Sequence, residues 1–279
     1  MRIFKYLYKT ALIAGFAVLS GCSGLGLVDG LTPQSGYRPV ETVAYGTEVR
    51  QKLDIYRPLG DGPHPVVVFF YGGSWKTGDR ADYRFIGQSL ASAGVLTLVA
   101  DYRLFPEVAY PAFVEDGAAA VRWVLAHAAE LGGDPKRTYI MGHSAGAMNV
   151  ALLALDGRYL GADRPRLAGA LLLASPVKFD PEPDLKPILY PPGQSLPSPM
   201  PYDYVDGSNP PLFLFHGEED ETVTPEASKA LRAAVLKSGG QADLTLYPKI
   251  GHELLIGALA SRLEFLAPVR DDVLKVLLR

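Results

Sequence analysis

The sequence predicts an α/β protein: a mostly parallel, twisted sheet flanked by helices and interrupted by one proline-rich insertion. Three observations carry this. Short apolar runs recur with helix-length stretches between them, the alternation expected of strand–helix–strand units. The runs are continuous, as in Pro65-Val66-Val67-Val68-Phe69-Phe70-Tyr71, which suits strands buried on both faces. Residues 176–211 hold 11 of the 23 prolines, so that stretch can propagate neither a helix nor a central strand.

The elements follow in order. Residues 47–56 alternate in part, with Val49, Leu53 and Ile55, and read as an early antiparallel strand. Residues 58–65 are a Gly/Pro turn, and 65–71 are the first fully buried strand. Further apolar runs place strands at 95–100, 138–141, 168–174, 212–215 and 242–247. Helix-like stretches lie between them at 82–93, 111–131, 145–155 and 225–238, with a last region at 251–278. The insertion at 176–211 reads as a cap over a site, because loops this long in a compact domain are usually functional.

Composition narrows the function. The chain has 279 residues, 48% of them hydrophobic and 20% charged, with net charge −3. Wholesale disorder does not fit this balance. The charge gives no footprint for nucleic acid. A single cysteine, Cys22, excludes an intramolecular disulfide framework and a cysteine-based zinc cluster.

The N-terminus has its own pattern. Arg2, Lys5 and Lys9 precede an apolar run from Ala11 to Leu19. A basic start and a short apolar core are the plan of a secretory signal peptide. The run is too short to span a bilayer as a helix, which takes about 20 residues. It ends in Leu19-Ser20-Gly21-Cys22, which resembles the lipobox of bacterial lipoproteins. The resemblance implies cleavage after residue 21 and acylation of Cys22. Residues 1–21 are then a signal peptide, 22–36 a Gly-rich tether, and 37–279 the globular domain with its insertion at about 176–211. Cleavage removes three of the 27 basic residues and no acid, leaving 24 basic against 30 acidic residues, a charge of −6. Such a surface gains nothing from anionic lipid, so acyl chains must hold it to the membrane. Ser23 after the cysteine, rather than Asp, implies by the same resemblance an outer-membrane location facing the periplasm.

The chemistry begins at Gly142-His143-Ser144-Ala145-Gly146. This G-x-S-x-G lies between a predicted strand and a predicted helix, the setting of a nucleophile elbow. The turn exposes Ser144 Oγ, and the Ala145 amide at the helix start is aimed to bind an oxyanion. A serine needs a base, and the base needs a carboxylate. Of the five histidines, His64 sits in a turn, His127 in a helix, His143 in the elbow and His216 at a strand end. His252, in Ile250-Gly251-His252-Glu253 after the last predicted strand, is placed to swing over the nucleophile. Four carboxylates follow the strand at 212–215, in His216-Gly217-Glu218-Glu219-Asp220-Glu221-Thr222-Val223. Asp220 completes the chain order Ser, acid, His of such hydrolases. His216 reads as structural within that turn.

Two further stretches complete the pattern: Phe70-Tyr71-Gly72-Gly73-Ser74-Trp75, and Asp101-Tyr102-Arg103-Leu104-Phe105-Pro106-Glu107. With the elbow they resemble the H-G-G-G, D-Y-R-L-A-P-E and G-D-S-A-G motifs of the hormone-sensitive-lipase-like carboxylesterases, over residues 37–267. The resemblance implies the α/β-hydrolase fold and a serine esterase of small carboxylic esters that needs no metal or organic cofactor. It implies that the Gly73 and Ser74 amides join Ala145 in the oxyanion hole and that 101–107 is a salt-bridged scaffold. Trp75 is a candidate for the acyl or alcohol pocket, with packing as the other reading. Three positions depart from the pattern. Tyr71 replaces the loop histidine, Ser74 the third glycine, and His143 the acid before the nucleophile. G-H-S-A-G with G-G-x-W also resembles arylformamidases, which makes an amidase the first alternative. A non-catalytic envelope lipoprotein on the same fold is the second.

Overall fold

The structure, a computed structural model, describes Gly26 and residues 28–279. The signal peptide and Cys22 lie outside the described residues. The strands are β1 (Glu41–Ala44), β2 (Lys52–Tyr56), β3 (His64–Phe70), β4 (Leu96–Ala100), β5 (Gly133–His143), β6 (Gly169–Leu173), β7 (Leu212–Gly217) and β8 (Ala242–Tyr247). They form one sheet in the order β1-β2-β4-β3-β5-β6-β7-β8. The β1–β2 and β2–β4 pairs are antiparallel, and every pair from β4 to β8 is parallel. The continuous apolar runs become the central strands, and β3, β4 and β6 are buried almost throughout.

The main helices are α1 (Arg84–Ala91), α2 (Ala112–His127), α3 (Ala145–Leu155), α4 (Glu226–Lys237), α5 (His252–Gly257) and α6 (Val269–Leu277). All residues of α3 are buried, which is why its sequence lacks a polar stripe. A Cβ at Gly146 would stand 2.2 Å from Phe70 O, so only glycine lets α3 approach the end of β3 this closely.

The fold expected from the sequence is present, with four corrections. An unexpected strand, β1, pairs at the sheet edge. Its Glu-Thr-Val-Ala sequence is mostly exposed and leaves no apolar run to read. The expected strand at 47–56 begins only at Lys52, because 46–50 form bends and a turn with Val49 in solvent. The last helical region divides into α5 and α6, separated by residues 258–268.

The fourth correction concerns the tether. Val28 is buried, Asp29 pairs with Arg84 at 3.1 Å, and the Ser35 carbonyl accepts from Gln88. Residues 28–36 therefore belong to the domain surface. Small polar residues resemble a spacer in composition, but Asp29 and the Ser35 carbonyl find partners on α1, and Val28 packs beside residues 260–263.

The insertion at 176–211 holds only a short helix (Lys186–Leu189) and a 3₁₀ turn (Pro201–Tyr204). It is tied down by Tyr110 N–H to Ile188 O at 2.8 Å, Tyr110 Oη to Ser198 O at 3.0 Å, and Lys76 to Asp184 at 2.6 Å.

Candidate active site

The elbow forms where β5 ends at His143 and α3 begins at Ala145. Between them Ser144 takes φ 54° and ψ −122°, a conformation that costs about 1–3 kcal/mol and is kept only where the surroundings enforce it. The enforcement is visible. Ser144 N–H donates to Leu173 O at 3.0 Å, and Met148 N–H returns to Ser144 O at 3.0 Å. A Cβ at Gly72 would lie 2.9 Å from Ser144 Cβ. Ser144 stays half-buried, and its Oγ has no hydrogen-bond partner among the described residues.

Asp220 and His252 meet at the ends of β7 and β8. His252 Nδ1–H donates to Asp220 Oδ2 at 2.8 Å, and both residues are buried. That bond leaves Nε2 as the basic nitrogen. Asp220 Oδ1 accepts the Thr222 and Val223 amides at 3.0 and 2.8 Å. Burial alone would raise the Asp220 carboxyl, but hydrogen bonds from His216, His252 and the Val223 amide outweigh it and hold it well below the usual carboxylate range. Glu218, Glu219 and Glu221 are exposed.

The other histidines separate by role. His216 is fully buried; its Nε2 donates to Val223 O at 2.7 Å and lies 3.4 Å from Asp220 Oδ2, and its Nδ1 accepts from Ser228 Oγ at 2.7 Å. It fixes the acid's loop, as the structural reading anticipated. His64 begins β3 and is half-buried, where an exposed turn was expected. His127 ends α2 and stacks on Trp123.

His143 was expected only as a departure inside the elbow. Its ring lies 4.7 Å from the His252 ring, and its Nε2 donates to the His252 carbonyl at 3.2 Å. Burial, then the charge on His252, push its pKa well down, so it stays neutral in the fold. No sequence spacing signals this contact, because 109 residues separate the pair. The unfolded chain binds a proton at His143 that the native state refuses, so stability falls as pH drops below about 6.5. The slope from this one site is at most about 1.4 kcal/mol per pH unit. Thermal unfolding midpoints should fall on acidification, and His143→Gln should flatten that fall. An unchanged slope would show that His143 binds its proton in the native state.

The oxyanion loop follows β3. Gly73, Ser74 and Trp75 all have positive φ, at 118°, 54° and 58°. The Gly73 carbonyl accepts the Lys76 and Thr77 amides at 3.0 and 3.1 Å. Among the described residues, the amides of Gly73, Ser74 and Ala145 donate to no protein acceptor. A Cβ at Gly73 would fall 2.3 Å from Thr77 O. Gly73→Ala should therefore shift the loop and lower kcat about 10²–10³-fold, the usual loss for one oxyanion donor. Full kcat in a folded Gly73→Ala protein would remove this loop from the chemistry.

The loop is held from below. Tyr71 Oη donates to Asp101 Oδ1 at 2.7 Å and accepts from Arg50 at 2.7 Å. Its ring stacks between Tyr83 and Tyr102 at 5.3 and 4.9 Å. Tyr71 thus pins the loop with its hydroxyl where the related motif has a histidine. Asp101 also binds Arg80, and Arg103 grips Asp116 through a two-pronged ion pair. The scaffold expected for 101–107 is present.

Trp75 requires a correction. It is only 2% exposed, stacks on Phe113 at 5.5 Å and donates its indole N–H to Asn149 Oδ1 at 2.9 Å. It ties the oxyanion loop to α2 and α3 and presents almost no surface to a substrate. The Gly-Gly-Ser-Trp spacing alone does not reveal which way the indole turns.

The chain is similar to several known proteins. A BD-FAE family model matches residues 53–164, and a prolyl oligopeptidase family model matches residues 193–269. A probable isoprenylcysteine alpha-carbonyl methylesterase of Arabidopsis thaliana is 30% identical over 238 residues, covering 74% of this chain and 49% of that protein. The carboxylesterase NlhH of Mycobacterium tuberculosis is 43% identical over 98 residues, covering 35% of this chain and 31% of its own. The chain spans about half the length of the plant methylesterases it matches. Among solved structures, a truncated carbohydrate esterase from gut microbiota superposes with TM-score 0.73 at 21% identity, covering 89% of this chain and 99% of that one; at that identity it shows the fold. The propionate-bound esterase Est2 of Thermogutta terrifontis gives TM-score 0.69 at 27% identity, covering 87% and 95%.

Proposed function

The chain is an α/β-hydrolase with the motifs of the hormone-sensitive-lipase-like carboxylesterases, and from that premise we propose that it is a serine carboxylesterase acting on small carboxylic esters. The observation that carries the proposal is the pairing of a strained, half-buried Ser144 with a buried Asp220–His252 hydrogen bond at the same end of one sheet. Ligands of open α/β sheets bind at that end, beyond the carboxyl ends of the strands.

Ser144 Oγ attacks the ester carbonyl while His252 Nε2 takes its proton. Asp220 holds the imidazole through Nδ1 and stabilises its charged form. The Gly73, Ser74 and Ala145 amides receive the oxyanion. His252 then gives its proton to the leaving alkoxide, and the alcohol departs. Water, deprotonated by the same nitrogen, releases the acid and restores Ser144. Solved structures of Est2 hold propionate and butyrate, the acid halves of short acyl esters, and this favours short acyl groups here.

In this reading Cys22 carries the lipid, and the mature protein is an envelope enzyme held at the outer membrane facing the periplasm. The basic, apolar and small residues of 1–22 support it.

A panel of acetyl, propionyl, butyryl and longer aryl esters, run beside N-formyl aryl amides, tests the activity. Highest kcat/KM is expected on the short esters. Preference for the formamides would replace the esterase by an amidase. Failure of the folded protein to label with a fluorophosphonate would leave a non-catalytic binding protein.

A further inference from the structure

Residues 29–36 run beside α1 in a fixed direction. Asp29 pairs with Arg84, the first residue of α1; the Ser35 carbonyl accepts from Gln88, one turn later; and a Cβ at Gly36 would touch Ser92 just past the helix end. Because β3 and β4 are parallel, the α1 between them runs from the carboxyl ends of the strands back to the amino ends. Val28 therefore lies at the end of the sheet that carries Ser144, Asp220 and His252.

The loop 258–268 meets the segment there. Val28, Leu31, Thr32 and Pro33 share a small cavity with residues 260–263, and Ser261 Oγ donates to Gln88 Oε1. Each of the two segments that meet here carries one large apolar side chain out in solvent: Leu31, 44% exposed, and Phe265, 69% exposed, two residues past the cavity-lining Leu263. Exposed apolar side chains clustered on one face mark an interaction surface when something is placed to cover them.

The chain length says what covers them. From Cys22 to Val28 is six residues, at most about 20 Å when fully extended. Acyl chains buried in a bilayer at Cys22 leave the domain too little chain to turn this face away. We propose that a lipid bilayer covers the face bearing Leu31 and Phe265, and that the short leader holds the catalytic end of the sheet toward the membrane. The enzyme is then set to receive esters presented at or released from the lipid surface. This rests on the anchor reading of Cys22 given above.

The test uses the full lipidated protein on vesicles of phosphatidylethanolamine and phosphatidylglycerol. With Cys22 acylated, Phe265→Cys introduces the one free thiol of the mature chain, and Leu236→Cys does the same at the carboxyl end of α4, at the opposite end of the sheet. Both positions are exposed, so both variants should fold. Each is labelled with an environment-sensitive fluorophore and challenged with a lipid carrying a quencher in its headgroup region. Quenching at position 265 should exceed that at 236 several-fold. Equal quenching, or stronger quenching at 236, with the N-terminal peptide shown by mass to carry its lipid, overturns the orientation and leaves the anchor standing. An N-terminal peptide without lipid on Cys22 overturns both.

Discussion

Ser144→Ala abolishes ester turnover while the protein stays folded. The expected loss in kcat is about 10⁶-fold, the scale seen when the nucleophile of a serine triad is removed. The structure separates chemistry from stability at this residue. Ser144 Oγ has no hydrogen-bond partner among the described residues, so its deletion leaves no protein group unsatisfied. Alanine keeps the Cβ and inherits the same positive φ, so the strain of the elbow is unchanged. The unfolding midpoint should stay within the range of a neutral substitution, about 0.5 kcal/mol. Hydrolysis of aryl esters, with fluorophosphonate labelling as the count of live sites, checks both parts. Wild-type turnover from a folded Ser144→Ala protein would sink the assignment.

Much of this site is legible in the sequence because local rules write it there. The strand–G-x-S-x-G–helix order places the nucleophile, and the continuous apolar runs place the central strands on which the elbow depends. Asp220 is legible through the chain order Ser, acid, His, which places the acid on the loop after the strand at 212–215. What stays hidden is long-range. The His143–His252 contact joins residues far apart in the chain and leaves no periodicity. The inward turn of Trp75 depends on Asn149 and Phe113, which the loop sequence does not name. The packing of 28–36 is hidden for a different reason. A few small polar residues that lie on a helix have the same composition as a few that trail in solvent; only the partners, here Arg84 and Gln88, distinguish them. Edge strand β1 escapes because half-exposed edges carry no apolar run to read.

Asp220→Asn should lower kcat by up to about 10⁴-fold with little change in KM, by analogy with the serine-protease acid. The hydrogen-bond directions explain why an isosteric change is so costly. In the wild type, Oδ1 accepts two amides, from Thr222 and Val223, while Oδ2 accepts His252 Nδ1–H. Asparagine has one oxygen and one NH₂. If the oxygen faces the two amides, the NH₂ faces His252 Nδ1, which must then become an acceptor. The imidazole proton moves to Nε2, the nitrogen that has to take the Ser144 proton, and the base is lost. If the oxygen faces His252 instead, the NH₂ points at two amide donors and three donors confront one another in a buried site. Two amides at 3.0 and 2.8 Å outweigh the His252 imidazole at 2.8 Å and the longer His216 Nε2 contact at 3.4 Å, whose proton already goes to Val223 O, so the first arrangement prevails and the variant folds with the wrong tautomer. Glu218→Gln, Glu219→Gln and Glu221→Gln change exposed groups and should leave kcat near wild type. A loss smaller than tenfold in Asp220→Asn, or a large one in any of the three glutamine variants, would assign the orienting carboxylate elsewhere in the loop.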